Sequence, residues 1–341
     1  MKTKNILLLL LLVFAVAMVG CEGDEGPAGP TGPAGDPGDP GEDGTPGDIT
    51  NCTACHASAE FEEIQAQYSY SGHALGAYVG YAGGRASCTP CHSSEQFVQW
   101  AELGEVDDAI SSPSAIGCRT CHNVHETFLP ADYALRVTGT VDMLFDETYE
   151  LDFGDSSNLC AICHQSRRAE PNTSNPGETF DITSTHYGPH HGAQANVLEG
   201  VGFAEIVGSV DYPASSGHLN VSYTCVTCHM GDYDGEEAAG GHTWGVNYNS
   251  CSNCHTQDAI DTAMGAIEVK LDALRDRLVE LGVVEWVEED EAYEPIVGTY
   301  PMAQAQAFFN WIGLVEDRSM GAHNPSYVEA LIDNSLEAIA D

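Results

Sequence analysis

The sequence predicts a mainly α and irregular fold with little β structure, forming one domain over residues 51–341, and three observations lead there. Twelve of the 13 cysteines fall in a single five-residue pattern that recurs along the chain. The connections between those patterns are rich in Gly, Pro, Ser and Asp and carry few long periodic runs, leaving little sequence for a large sheet. Only after His255 do apolar residues recur at three- and four-residue steps over long windows, the signature of amphipathic helices. Hydrophobic residues make up 43% of the 341, slightly under the usual globular share, for which a cofactor-filled interior is one answer.

The N-terminal segment is read as a targeting signal. Lys2 and Lys4 precede an unbroken apolar run from Ile6 to Val19, shorter than the roughly 20 residues that span a bilayer. Residues 1–20 are therefore expected to be removed on export. Met18-Val19-Gly20-Cys21 resembles the bacterial lipoprotein cleavage box, which implies a lipid anchor on Cys21; the alternative is an ordinary secretory signal. Cys21 is the one cysteine outside the recurring pattern. The charge balance, 11 Lys+Arg against 52 Asp+Glu and a net charge of −41, excludes nucleic-acid backbones as partners, because like charges repel.

Residues 21–50 are expected to hold the anchor and a spacer. Glycine stands at every third position from Gly23 to Gly47, with prolines between, a collagen-like Gly-X-Y repeat. The tract lacks Lys and Arg, and acids such as Asp24, Asp36 and Asp43 would crowd together in three parallel strands. We read it as an extended single-chain spacer, with a trimeric stalk as the alternative. At about 3.1 Å per residue it would hold the domain up to roughly 80 Å from its anchor.

From Cys52 onward the pattern is C-x-x-C-H, six times: Cys52/Cys55/His56, Cys88/Cys91/His92, Cys118/Cys121/His122, Cys160/Cys163/His164, Cys225/Cys228/His229 and Cys251/Cys254/His255. Two thiols on one short turn can add to the two vinyl groups of a haem, and the adjacent imidazole is then held beneath the iron. Zinc sites or disulfides also use C-x-x-C pairs, but neither calls for a histidine after every pair. Six such coincidences have a chance probability on the order of 10⁻⁸. On these motifs residues 51–341 resemble the multihaem c-type cytochromes, which implies six covalently bound haem c groups.

Low-spin electron-transfer haems need a second axial ligand, and eight histidines remain: His73, His125, His186, His190, His191, His218, His242 and His323. The resemblance points to six of them as distal donors. His125, three residues after His122, has a spacing that in related cytochromes serves a neighbouring haem. His73 and His218, each after Ser-Gly, and His242 in Gly-Gly-His-Thr-Trp resemble distal-ligand segments. Gly321-Ala322-His323-Asn324-Pro325 resembles the C-terminal ligand segment of multihaem nitrite reductases and their hydroxylamine-oxidising relatives, and Asn324 can cap a helix that starts at Pro325. From the cluster His186-Tyr187-Gly188-Pro189-His190-His191 we take His191, whose downstream Gly192-Ala193-Gln194 resembles the family context, with His190 and His186 as alternatives.

Regular structure is expected in four places. Residues 132–153, with Leu135, Val137, Val141, Tyr149 and Leu151, read as a short hairpin. Residues 258–341 form a helical C-terminal part: Ile260 to Leu281 with a stop at Gly282, a second helix over Met302 to Val315, and a third beginning after Pro325. If His323 ligates a haem, that part closes over the haem array and is not an independent domain.

The expected function is electron transport at the bacterial cell envelope, on the periplasmic face or outer surface, possible acceptors including extracellular ones. Redox partners carrying basic patches are expected, given the acidity of the chain. One alternative is an oxidoreductase acting on nitrite, hydroxylamine or a similar small oxyanion. It is weakened because no C-x-x-C-K motif, the lysine-ligated site of ammonia-forming nitrite reductases, is present. The other alternative is a filament-forming conductive cytochrome.

Overall fold

Serine and glycine punctuate residues 58–104 into short helices. The computed structural model describes residues 49–106, 110–172 and 178–340; the expected signal, Cys21 and the Gly-X-Y tract lie outside them. After the short helix Ile49–His56, α1 (Ala59–Ser69) begins where the Ser58 hydroxyl accepts the Phe61 N–H at 3.1 Å. Ser71 caps the turn Gly72–Leu75 in the same way, and Gly76 ends it in the left-handed conformation that glycine adopts without a Cβ clash. Helix α2 (Ser94–Leu103) likewise stops at Gly104, with φ 77°.

The expected hairpin is β1 (Val141–Met143) paired antiparallel with β2 (Asp146–Leu151). Its inward residues Val141, Met143 and Leu151 join Phe97, Phe153, Ile162 and Leu198 in one apolar cluster. Leu135 and Val137 fall before the strands, and Leu135 forms an isolated bridge with His122 instead.

A second, larger cluster is built by the C-terminal part. After β3 (Thr179–Ile182) the chain reaches α3 (Gln257–Glu280), whose residues Ile267, Leu271, Leu274 and Leu278 are buried. A hairpin of β4 (Val284–Val287) and β5 (Ala292–Pro295) follows, then β6 (Gly298–Pro301), which pairs antiparallel with β3. Helices α4 (Met302–Asp317) and α5 (Pro325–Ala338) complete it, and the Asn324 side chain accepts the Tyr327 N–H at 3.3 Å while Pro325 stands in the first turn. Neither strand pair was legible in sequence: β4 and β5 flank an acidic turn rather than an Asn-Gly or Gly-rich one, and β3 pairs with a strand more than a hundred residues away.

This part is not separable from the rest. Its cluster includes Ile182, Val197 and Phe203 from upstream segments. Two fully buried asparagines clamp it further. Asn310 Oδ1 accepts the Ala204 N–H and its Nδ2 donates to the Ala204 carbonyl, both at 2.9 Å, and Asn334 treats Val210 alike at 3.0 and 2.8 Å. Each amide supplies the donor and acceptor that a neighbouring strand would have offered. The fold is thus mainly α and irregular, its described strands pairing only two by two. Among the described residues no helix is long and apolar enough to cross a membrane.

Candidate haem sites

All six motifs lie on or just after a helical turn: Ile49–His56, Thr89–His92, Cys118–Cys121, Asn158–Cys163, Thr224–His229 and the 3₁₀ segment Tyr248–Asn253. A turn of helix brings residues three apart onto one side, so both thiols of a motif face the same way.

The sixth motif leaves one of its two cysteines at the surface. Its 3₁₀ segment ends at Asn253, and Cys254 stands one residue beyond it with φ −127°. Cys254 is exposed, as are Cys52 and Cys118, whereas the other nine motif cysteines are half-buried. The physical reason is its place in the chain: residues 252–259 run along the surface into the first turn of α3, and all of them are exposed. The Cys254 N–H still donates to the Cys251 carbonyl at 3.1 Å, which keeps the two thiols of this motif within one tight turn.

Each motif histidine faces one further imidazole. His56 faces His125 with ring centres 5.9 Å apart, His92 faces His190 at 6.1 Å, and His122 faces His242 at 6.4 Å. His164 faces His73 at 6.2 Å, His229 faces His323 at 6.3 Å, and His255 faces His218 at 6.1 Å. With metal–nitrogen bonds of about 2 Å on either side, and roughly 1.1 Å more from each nitrogen to its ring centre, two imidazoles on one metal stand about 6.2 Å apart. The six separations match that value. Among the described residues, no group of three or more His, Cys, Asp or Glu side chains gathers as a site for a bare metal ion, so the donor set suits a metal whose remaining ligands arrive with a macrocycle.

Hydrogen bonds fix which ring nitrogen faces inward. His122 Nδ1 lies 2.6 Å from the Tyr133 carbonyl and His229 Nδ1 lies 2.9 Å from the Trp244 carbonyl. A carbonyl only accepts, so Nδ1 carries the proton and Nε2 keeps its lone pair for the facing side. His164 Nδ1 meets Gln194 Oε1 at 3.1 Å and His323 Nδ1 meets Asp317 Oδ1 at 2.7 Å. Burial also keeps several rings neutral, the state a metal donor requires. Burial first, then the neighbouring His164, pulls His73 down to about 4. Burial first, then Arg167 and the nearby histidines, does the same to His190, also to about 4.

The structure differs from the sequence expectation at one donor. His191 is not the ring opposite His92; its neighbour His190 is. His191 turns outward, its side chain 69% exposed, bonded through Nδ1 to Glu316 at 2.6 Å and stacked on Tyr78. The Glu316 hydrogen bond is the main cause that raises its pKa, favouring the protonated ring, which cannot bind metal. The choice follows from backbone geometry: His190 has φ 94° and Gly192 φ 90°, and this pair of left-handed residues reverses the chain so that successive rings point apart. A Cβ on Gly192 would stand 3.0 Å from Gln194 Oε1, the atom that holds His164. His186 is exposed and faces no motif histidine among the described residues.

The remaining distal candidates, His73, His125, His218, His242 and His323, each stand opposite a motif histidine. His125 reaches the first site although it lies beside the third motif. His242 is presented by Gly240 and Gly241, at φ 74° and 51°, and its N–H is held by Gln67 Oε1 at 2.9 Å. In no case is the partner the spare histidine closest in sequence.

The sites also touch each other. The Cys91 and Cys163 thiols are within hydrogen-bonding reach, as are those of Cys160 and Cys225, so the fourth motif meets the second with one cysteine and the fifth with the other. Cys91 Sγ additionally lies 3.9 Å from the Ile162 carbonyl. Tyr133 joins the first and third sites, its hydroxyl bonded to Cys55 and its carbonyl to His122. Trp244, which sequence reasoning did not single out beyond its place after His242, packs edge-on against both His73 at 4.8 Å and His242 at 5.5 Å.

No family model matches this chain, and no curated protein matches it. Among solved structures it is similar to the outer cell wall cytochrome OcwA, with a TM-score of 0.53 and 18% sequence identity over 81% of this chain. The match covers 50% of that protein, so this chain spans about half the length of the structure it resembles. The likeness is one of fold alone.

Proposed function

We propose that this protein is a hexahaem c-type electron relay of the cell envelope. The observation that carries the reading is the set of six imidazole pairs, each made of a C-x-x-C-H histidine and a second histidine at the spacing two axial ligands of one iron require. The twelve motif cysteines would hold the haems covalently, and the haems supply one-electron redox chemistry when bound.

What the chain itself does is position and insulate. The pairing of motif with distal histidine ties distant segments together, and the contacts among Cys91, Cys163, Cys160 and Cys225 bring attachment points of successive sites together. Short steps between neighbouring sites are what electron tunnelling needs. An enzyme acting on nitrite or hydroxylamine needs an iron with an open position, whereas each of the six pairs offers two donors; relay is therefore favoured over catalysis. The lipoprotein-type signal with Cys21 and the likeness to an outer cell wall cytochrome support an envelope location, with acidic surface turned toward basic redox partners.

A pyridine haemochrome assay on the purified chain, combined with electron paramagnetic resonance of the oxidised protein, tests this. Six haems per chain, all low-spin ferric, are expected. Zinc in place of iron would overturn the reading, and a high-spin ferric signal that responds to nitrite would replace relay by catalysis.

A further inference from the structure

Four of the paired imidazoles carry a resolved Nδ1 contact, and they differ in chemistry. His122 and His229 donate to backbone carbonyls and His164 to an amide oxygen, all neutral acceptors. Among these four paired imidazoles His323 alone donates to a carboxylate; the other histidine bonded to one, His191, belongs to no pair. That carboxylate, on Asp317, has a side chain only 1% exposed, so water does little to screen it.

The local backbone is shaped to make this contact. Asp317 is the last residue of α4, and Arg318, Met320 and Gly321 take φ values of 60°, 48° and 83°. These left-handed residues curl the chain back, so that His323 returns onto the side chain six positions earlier. Ser319 bonds the other carboxylate oxygen, Oδ2, and accepts the His323 N–H at 3.4 Å. The Asp317 carbonyl, at the negative end of α4, accepts Gln194 Nε2 at 3.3 Å, and the same Gln194 holds His164. One helix end therefore reaches the distal ligand of the fifth site and the proximal ligand of the fourth.

We propose that Asp317 is a positioning residue that lowers the reduction potential of the fifth haem site relative to the fourth. This inference rests on the reading of the six pairs as axial ligands. A carboxylate on Nδ1 makes the imidazole a stronger donor, and its negative charge favours the oxidised iron, which carries one positive charge more than the reduced iron. Both effects act in the same direction. The fourth site has only the neutral Gln194 amide on His164, while the Nδ1 of buried His73 has no hydrogen-bond partner. Because Cys160 of the fourth motif touches Cys225 of the fifth, the two sites are direct neighbours and the difference sets a downhill step from the fifth to the fourth.

The test is a potentiometric titration of the full mature protein against Asp317→Asn and Asp317→Glu, followed optically and by electron paramagnetic resonance. In Asp317→Asn one of six haems should become easier to reduce by at least tenfold in its equilibrium constant, about 59 mV for one electron. Its low-spin g values should shift with it, and Asp317→Glu should restore most of the difference. A haem count of six with superimposable titrations would overturn the proposal. The native protein gives a second measurement that needs no variant: one of six ferric signals must show the stronger ligand field of an imidazolate-like histidine, and six alike would equally overturn it. A native count other than six would instead remove the underlying reading of the sites.

Discussion

His92 and His190 face one another across 6.1 Å with their rings at 81°, while His191, the very next residue, points away to Glu316. Replacing His190 by alanine should leave one iron of six without its second donor. Replacing His191 should not. We expect a high-spin ferric signal equal to one haem in His190→Ala and an unchanged low-spin spectrum in His191→Ala; the reverse result would reassign the ligand.

Asp132 controls the loop that presents His125. Its carboxylate accepts the Thr127 hydroxyl at 2.5 Å, the Thr127 N–H at 2.9 Å and the Phe128 N–H at 2.8 Å, and the loop contains two left-handed residues, His125 at φ 65° and Phe128 at φ 58°. The Thr127 hydroxyl first, and the backbone N–H groups after it, hold the carboxyl below its ordinary value of 3.8. A depressed folded-state pKa means the stabilisation is present in full above 3.8 and is lost as pH falls through the folded value. On acidification the wild type should release His125 from the first site only below that range, whereas Asp132→Ala should show weakened ligation already at neutral pH. Identical acid titrations of the first haem in both proteins would show that Asp132 has no such role.

Trp244 sits against the distal histidines of two sites, His73 and His242, and accepts from the proximal His229 of a third through its carbonyl. Its backbone φ of 54° is one that glycine takes without strain. Trp244→Gly should keep the carbonyl contact and lose the ring. Electron paramagnetic resonance should then show the third and fourth haems altered together and the fifth unchanged; a change confined to one haem would contradict the shared packing.

Weakening the side-chain core should lower stability without detaching covalently held haem. Leu274 of α3 is fully buried in the C-terminal cluster, and Leu274→Ala should cost about 2–5 kcal/mol. Asn310→Ala leaves the Ala204 N–H without its partner, while the Ala204 carbonyl keeps the Ile206 N–H, a loss of about 1–3 kcal/mol. Both should lower the denaturation midpoint while the haem count stays at six. Loss of haem in either variant would mean that the cluster and the sites fold as one unit.

The three C-terminal helices were legible because each announces itself locally: apolar steps through Leu271, Leu274 and Leu278, then Gly282 as a stop, and Asn324-Pro325 as a start. The hairpin at Val141 was legible in outline, but its extent was not, since Leu135 bridges to His122 and leaves the strand short. The β3–β6 pair escaped because a strand of four residues carries too little pattern to name a distant partner. The spacing of Cys251 and Cys254 was equally plain, yet the exposure of Cys254 was not, because burial depends on what packs over a turn and not on the turn itself.

The sequence alone determined where the six thiol pairs and their adjacent histidines stand, because the attachment chemistry needs residues at fixed short spacing and is written within five positions. It also supplied enough spare imidazoles for six sites. Only the tertiary structure decided which imidazole meets which motif, because a facing pair is a contact through space that the intervening loops do not encode. His191 against His190 is the clearest case: the two are adjacent and the downstream Gly192-Ala193-Gln194 pointed to His191, whereas the backbone reversal at His190 and Gly192 turns the His190 ring inward and His191 to Glu316.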